Sequence, residues 1–322
     1  MEKVNNIEIS NFKSIKHLKI DGCNKINVFV GMPNAGKSNI LEALSLFGYL
    51  NNSRDLRDYV RHELDYELFF KGITHNIISI RLNEKIELNI ASRERYTSED
   101  FINLDNTNLK YKESFFNENV YYHDIKKYIF DNKRSQKRGD PVLETPFGEN
   151  IGQIISMNGA LRDAVSKYLN SNGLKMVIKS GTFELVLQKD LDDGTVFELP
   201  YSMIADTLQR LIFYKAAIMS NQNSVLLFEE PEAHCFEPYI LEFTNAVKYD
   251  ENDNQFFIVT HSDYIIKEFL RDEESKENTN IYLVNNVDGE TKVKLLDKDK
   301  NEDVFEFGMN IFFNFESLWE TN

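Results

Sequence analysis

The order of apolar and polar positions along the chain predicts alternating strands and helices. Residues 4–10 and 18–20 have strand patterning. They lead into Ile26-Asn27-Val28-Phe29-Val30, a short apolar run of the kind buried on both faces of a sheet. Asn39-Ile40-Leu41-Glu42-Ala43-Leu44 then reads as a helix. Residues 76–82 and 85–90 are β-rich, with Asn83-Glu84 as the turn between them. Residues 92–111 lose clear periodicity. From 151 to 169 the apolar positions Ile151, Ile154, Ile155, Leu161, Ala164, Val165 and Leu169 have helical spacing. Residues 174–189 predict a hairpin that turns at Ser180-Gly181. A second apolar helix over 208–217 precedes a strand at 224–228. Another strand (256–259), another helix (263–270) and two strands (281–284 and 292–296) flanking Asp288-Gly289 follow. Such alternation predicts an α/β fold with a β-rich and helical insertion after the first lobe.

Composition narrows this only modestly. The chain has 322 residues and a net charge of −15, which argues against a surface that is basic all over but leaves room for one local basic patch. No apolar run approaches the roughly 20 residues that span a bilayer. The first residues lack the apolar h-region of a signal peptide, so export by that route is not expected, and the two cysteines, Cys23 and Cys235, suggest neither a disulfide framework nor a metal site. A reducing cytoplasm is the expected location.

The chemistry is concentrated in three segments. Gly31-Met32-Pro33-Asn34-Ala35-Gly36-Lys37-Ser38 is a complete G-x-x-x-x-G-K-[ST] loop, set between an expected strand and an expected helix. Its backbone N–H groups, at Gly31, Asn34, Ala35, Gly36 and Asn39, are placed to wrap phosphates at a helix N-terminus, with Pro33 in the same loop. Lys37 is placed to reach the β- and γ-phosphates, and the Ser38 hydroxyl to ligate Mg²⁺. The second segment, Ser224-Val225-Leu226-Leu227-Phe228-Glu229-Glu230-Pro231-Glu232, is an apolar strand ending in acids. Acids after a strand are ordinary surface features. Beside an intact phosphate loop, Glu229 is expected to hold Mg²⁺ and Glu230 to polarise the attacking water. In the third, Phe256-Phe257-Ile258-Val259-Thr260-His261-Ser262, a strand ends in a histidine. A lone histidine is often only structural, but this position favours contact with the γ-phosphate.

The order of these three segments resembles the ABC-type ATPases of the RecF/SMC/OLD group. Ile7-Glu8-Ile9-Ser10-Asn11-Phe12-Lys13-Ser14-Ile15 is similar to their N-terminal strand and turn. Asn39-Ile40-Leu41-Glu42-Ala43 is similar to the segment after their loop. Pro231-Glu232-Ala233-His234 with Pro238 is similar to the segment after their acidic strand. The resemblance implies an ABC-type P-loop ATPase head: a mixed sheet flanked by helices, with ATP and Mg²⁺ as cofactors. It also implies head-to-tail dimers, in which each ATP lies between the loop of one head and a signature segment of the other. Here the matching segment is Tyr201–Arg210, with Ser202, Ala205, Asp206 and Thr207 at its centre. Ala205 and Thr207 stand where the family has glycines, so the segment also reads as a plain helix start capped by Asp206. No Q-loop residue is identifiable, although Lys71-Gly72-Ile73-Thr74 lies in the expected region.

Without long coiled coils, and with little chain after His261, the expected protein is a stand-alone head. Such heads resemble small ATPases of bacterial defence loci that work beside a separate nuclease or toxin. The expected divisions are residues 1–95, a first lobe with the loop; 96–200, an insertion with the basic segment; and 201–322, a second lobe. The alternatives are a slow, nucleotide-gated scaffold that assembles with a partner protein, and the nucleotide-binding subunit of a transporter. Lys126-Lys127 and Lys133, Arg134, Lys137 and Arg138 are candidates for DNA phosphate contact, or a solvated loop. Tyr121, Tyr122 and His123 are candidate stacking residues. The aromatic C-terminus (Phe305, Phe307, Phe312, Phe313, Phe315, Trp319) reads as core packing or as a partner interface.

Overall fold

The computed structural model describes residues 3–50, 54–93, 100–104, 107–115, 124–132, 137–191 and 193–321. Two compact units are present. One comprises Met1–Lys127, Ser224–Glu230 and Gln255–Asn322; the other comprises Tyr128–Asn223 and Pro231–Asn254.

The first unit opens with strands β1 (Ile7–Phe12), β2 (Ile15–Ile20) and β3 (Ile26–Val30), then helix α1 (Lys37–Tyr49). Strands β4 (Ile78–Leu82), β5 (Ile86–Ser92), β6 (Ile102–Leu104), β7 (Leu109–Phe115) and β8 (Ile125–Tyr128) follow. The second unit supplies α2 (Ile151–Met157), α3 (Gly159–Asn170), β9 (Lys175–Ile178), β10 (Leu185–Asp190), β11 (Val196–Pro200) and α4 (Asp206–Ser220). Strand β12 (Val225–Glu229) belongs to the first unit and α5 (Glu237–Lys248) to the second. The first unit ends with β13 (Gln255–Val259), α6 (Asp263–Phe269), α7 (Glu273–Glu277), β14 (Thr279–Val287), β15 (Glu290–Leu295), α8 (Lys298–Phe305) and α9 (Phe315–Thr321).

Two sheets build the first unit. One has the order β2-β1-β4-β5-β7-β6 and is antiparallel. The other has the order β15-β14-β3-β13-β12-β8. Its central strands β14, β3, β13 and β12 run parallel, and β15 is antiparallel to β14. The difference is written in the residues. In β4, buried Ile78, Ile80 and Leu82 alternate with half-buried partners, as in a sheet with one covered face. Strands β3 and β13 are buried at every position, as in a sheet covered on both faces. Helix α1 buries eleven of its thirteen residues. A helix with so little polar surface must be enclosed, and its Leu41, Leu44 and Phe47 share one apolar cluster with β1, β4, β5 and the parallel strands. Each such side chain contributes roughly 1.5–3 kcal/mol by leaving water. The expected α/β class and mixed sheet are borne out.

The differences in detail have local causes. The helical pattern over 151–169 is two helices, not one. Asn158 leaves the helical region (φ −105°, ψ 105°), and its side chain accepts a hydrogen bond from the Leu161 N–H at 2.9 Å, capping α3. The aperiodic stretch 92–111 contains β6 and the start of β7, an edge pair whose exposed positions dilute the pattern. At the start of α4 the N-cap is Ala205. Asp206 lies inside the first turn, where it pairs with Arg210 Nε at 2.8 Å. Strand β11 and helix α5 were not foreseen.

Candidate nucleotide site

The loop between β3 and α1 has the conformation its glycines allow. Gly36 sits at φ +96° and caps α1. A Cβ there would lie 2.0 Å from Thr291 Oγ1. A Cβ on Gly31 would lie 2.0 Å from the Val284 carbonyl oxygen of β14, so the first glycine of the motif is demanded by the neighbouring strand. The loop is pinned from outside. Thr291 Oγ1 donates to the Ala35 carbonyl (3.1 Å), Ser14 Oγ meets Thr291 Oγ1 (2.6 Å), and Asn39 Nδ2 donates to Ser14 Oγ (2.7 Å). The N–H groups of Lys37 and Ser38 meet no acceptor among the described residues, as expected of a helix N-terminus that serves anions. Lys37 Nζ donates to the carbonyls of Gly31 and Met32, both at 2.9 Å. Burial pushes its ammonium down to about 8, against the opposing pull of Glu230 and Glu229.

Glu229, at the end of β12, is flanked by two cations. Arg61 Nη2 lies 3.2 Å from Oε1, and Lys127 Nζ lies 3.5 Å from Oε2. Burial raises the Glu229 carboxyl, but Lys127, the Ser38 hydroxyl and Arg61 together outweigh it and hold the group below its ordinary value. Lys127 is buried and donates to the Tyr59 carbonyl at 3.0 Å. Burial lowers its ammonium, partly offset by Glu229 and Glu42. Arg61 Nε also donates to Glu42 of α1 at 2.7 Å, and Glu42, wholly buried, holds Lys13 as well. Burial works against the Arg61 charge, but Glu229, Glu42 and Glu230 keep its guanidinium above the ordinary value.

Glu230 follows at φ +46°, a left-handed conformation that costs a non-glycine residue about 1–3 kcal/mol and tends to cluster at functional sites. Its N–H is fixed by the Val259 carbonyl (2.8 Å), and its carboxylate lies 3.6 Å from His261 Nε2. Burial and the nearby Lys37 lower the His261 imidazolium, and Glu230 opposes them.

The structure thus brings together Pro33, Asn34, Ala35, Gly36, Lys37, Ser38, Asn39, Glu230 and His261 around one cavity of about 350 Å³, with Ser14 and Arg61 also in its wall. Glu229 joins through Ser38. Nucleotide and Mg²⁺ fit this donor set. The N–H groups left open at the start of α1 point to an anion. Ser38 and Glu229 are hard oxygen donors of the kind that hold Mg²⁺ together with substrate phosphates. Arg61, Glu42 and Lys13 were not expected here. The available signal was Glu42 itself, a carboxylate among Ile40, Leu41, Ala43 and Leu44 that requires buried partners.

The other sequence candidates lie elsewhere. Ser202 and Ala205 are exposed in the second unit, and Asp206 and Thr207 are half-buried there. Lys127 is not available to DNA, because it is buried against Glu229. Lys137 is held by Glu144 (3.0 Å) and Glu149 (3.2 Å), and Arg138 lies over the Phe183 ring. Lys133, Arg134, Tyr121, Tyr122 and His123 lie outside the described residues. The C-terminal aromatics divide: Phe315 is buried, while Phe307 (79%) and Phe313 (90%) are exposed. Among the described residues no helix is long and apolar enough to cross a membrane.

A protein from Helicobacter pylori described as an ATP/GTP phosphatase is 23% identical over 344 aligned positions, covering 87% of this chain and 92% of that one. The DNA replication and repair protein RecF of Clostridium beijerinckii is 32% identical over 87 residues, 27% of this chain and 23% of RecF. Among solved structures, the Smc head domain with an extended coiled coil bound to the C-terminal domain of ScpA, derived from Pyrococcus furiosus, superposes with a TM-score of 0.55 at 12% identity. It covers 95% of this chain and 99% of that one. An SmcHead bound to the C-winged helix domain of ScpA gives 0.52 at 13% identity, over 93% and 99%. These two show the shared fold. The AAA ATPase domain matches residues 2–184, more than half of the chain, and the chain belongs to that family.

Proposed function

We propose that this AAA ATPase hydrolyses ATP in a Mg²⁺-dependent reaction at the β3–α1 loop, and that ATP binding joins two copies head to tail. One observation carries the reading: the loop, Glu230 and His261 converge on a single cavity, with Glu229 fixed beside Ser38. Lys37 binds the β- and γ-phosphates, leaving the loop carbonyls it now caps. Ser38 and Glu229 hold Mg²⁺, which when bound neutralises charge on the phosphate oxygens. Glu230 takes the proton of the attacking water, in a position fixed by its backbone bond to Val259. His261, 3.6 Å from Glu230, contacts the γ-phosphate and orients the base. In the dimer, Ser202, Ala205, Asp206 and Thr207 close the site of the other copy.

The biological coupling is to DNA or to a separately encoded effector, a nuclease or toxin, in the cytoplasm. RecF, a DNA replication and repair protein, and the ScpA-bound Smc heads are relatives in sequence or fold that make such a role natural. The replacement of glycines by Ala205 and Thr207 favours a second reading, a slow scaffold in which nucleotide gates assembly with a partner.

Glu230→Gln tests the proposal. The variant should bind ATP as the parent does, lose turnover, and accumulate as an ATP-bound dimer in light scattering; unchanged turnover would overturn it. Strong stimulation of the parent by duplex DNA favours the enzyme, and tight ATP binding without turnover favours the scaffold.

A further inference from the structure

The C-terminal segment reaches the nucleotide site through one ring. Phe312 stacks on His261, with ring centroids 6.1 Å apart and planes 25° from parallel, within the range of productive aromatic contacts. The segment that carries it is held on both sides. Ile311 and Phe315 are buried. The Ile311 N–H donates to Asp263 Oδ1 at 3.4 Å, two residues beyond His261. Asn310 Oδ1 accepts from the N–H groups of Phe312 (3.0 Å) and Phe313 (3.1 Å). The backbone is therefore fixed so that Phe312 turns toward His261 while Phe313 turns to solvent, 90% exposed. His261 Nε2 lies 3.6 Å from the Glu230 carboxylate.

We infer that Phe312 is a positioning residue for His261: its ring fixes the imidazole plane so that Nε2 points toward Glu230 and the phosphate cavity. The C-terminal segment is thereby part of the nucleotide site rather than packing alone. This rests on the proposed role of His261 at the γ-phosphate. Aligning a group that acts on the reacting phosphate alters the rate rather than ground-state affinity, since the phosphates are held by the loop.

The test compares Phe312→Ala, Phe312→Tyr and Phe313→Ala. Phe312→Ala should lower kcat about tenfold with KM unchanged. Phe312→Tyr, which keeps the ring, should restore it, and Phe313→Ala should match the parent. A second readout needs no turnover. In protein carrying ¹³C-histidine, the His261 signals, assigned by their loss in His261→Asn, should shift on adding adenylyl imidodiphosphate with Mg²⁺. In Phe312→Ala that response should shrink, and the ring-current displacement in nucleotide-free protein should vanish. An unchanged kcat in Phe312→Ala, in an active parent, overturns the positioning role and leaves the hydrolytic reading standing. A parent without turnover, whose His261 response still depends on Phe312, sinks the hydrolytic reading and leaves the positioning role standing. A nucleotide response in Phe312→Ala equal to the parent's overturns the positioning role whatever the turnover.

Discussion

Replacing Glu42 with Gln tests how the site is tied to the core. Glu42 is wholly buried in α1 and accepts from Lys13 Nζ and from Arg61 Nε at 2.7 Å. Gln keeps the volume but brings an NH₂ group where an acceptor stood, so one of the two cationic donors faces another donor. Breaking a fully buried pair by removing one partner costs about 3–5 kcal/mol. The Arg61 side chain is 68% exposed and can turn to water, whereas Lys13 is only 13% exposed. The expected loss therefore falls below that range, at roughly 2–3 kcal/mol, with most of it from Lys13.

Trp319, the chain's single tryptophan, lies in the same compact unit as Glu42 and reports its unfolding. With a urea slope of about 2 kcal/mol/M, the fluorescence midpoint should fall by about 1–1.5 M. The Glu42→Gln, Lys13→Ala double variant should cost less than the sum of the singles, since both remove the Lys13–Glu42 pair. A midpoint within roughly 0.2 M of the parent would refute the reasoning and show that water already screens the cluster.

Two further outcomes follow from the geometry. Gly31→Ala places a methyl 2.0 Å from the Val284 carbonyl; forcing β3 from β14 should cost about 1–3 kcal/mol or more in the same urea assay, with or without nucleotide. Burial pushes the Cys23 thiol up to about 12 and the Cys235 thiol up to about 11. The thiolate is the reactive form, so at pH 8 both should react with a disulfide reagent far more slowly in the folded protein than in urea. Fast labelling of either in the native state would refute the assigned burial.

The parts of the site that sequence revealed are those written in neighbouring residues. The loop lies within eight consecutive positions, and Glu229 and Glu230 follow directly on their strand. The turns at Asn83-Glu84 and Asp288-Gly289 were legible because left-handed pairs favour Asn, Asp and Gly, and all four residues have positive φ. Contacts distant along the chain left no such trace. Arg61 meets Glu229 across 168 positions, and Ser14 meets Thr291 across 277. Lys127 reads as one more surface lysine beside Lys126 until β8 places it next to β12. The break at Asn158 was hidden because α2 and α3 together keep an apolar spacing that passes for one helix.

The long-range contacts also explain how a site made largely of loops is kept in shape. A phosphate loop must leave its N–H groups open, so it cannot be stabilised by bonding to itself. Here the restraint comes from outside. Thr291 of β15 grips Ala35, Ser14 links Thr291 to Asn39, and Val284 bars any side chain at Gly31. The acids are treated similarly: Glu229 by Lys127 and Arg61, and Glu230 by Val259 and His261. Apart from Arg61, which lies between α1 and β4, each restraint comes from a β-strand, a strand end or a flanking turn of the first unit. The sheets therefore set the site's geometry before nucleotide arrives, and little ordering cost remains at binding. Glu42 occupies the junction of the two requirements. It lies on the helix the loop begins, and through Arg61 it reaches the acid that faces that loop. A carboxylate kept inside an apolar helix, at a cost in desolvation, makes sense where it fixes one arginine in the wall of the cavity.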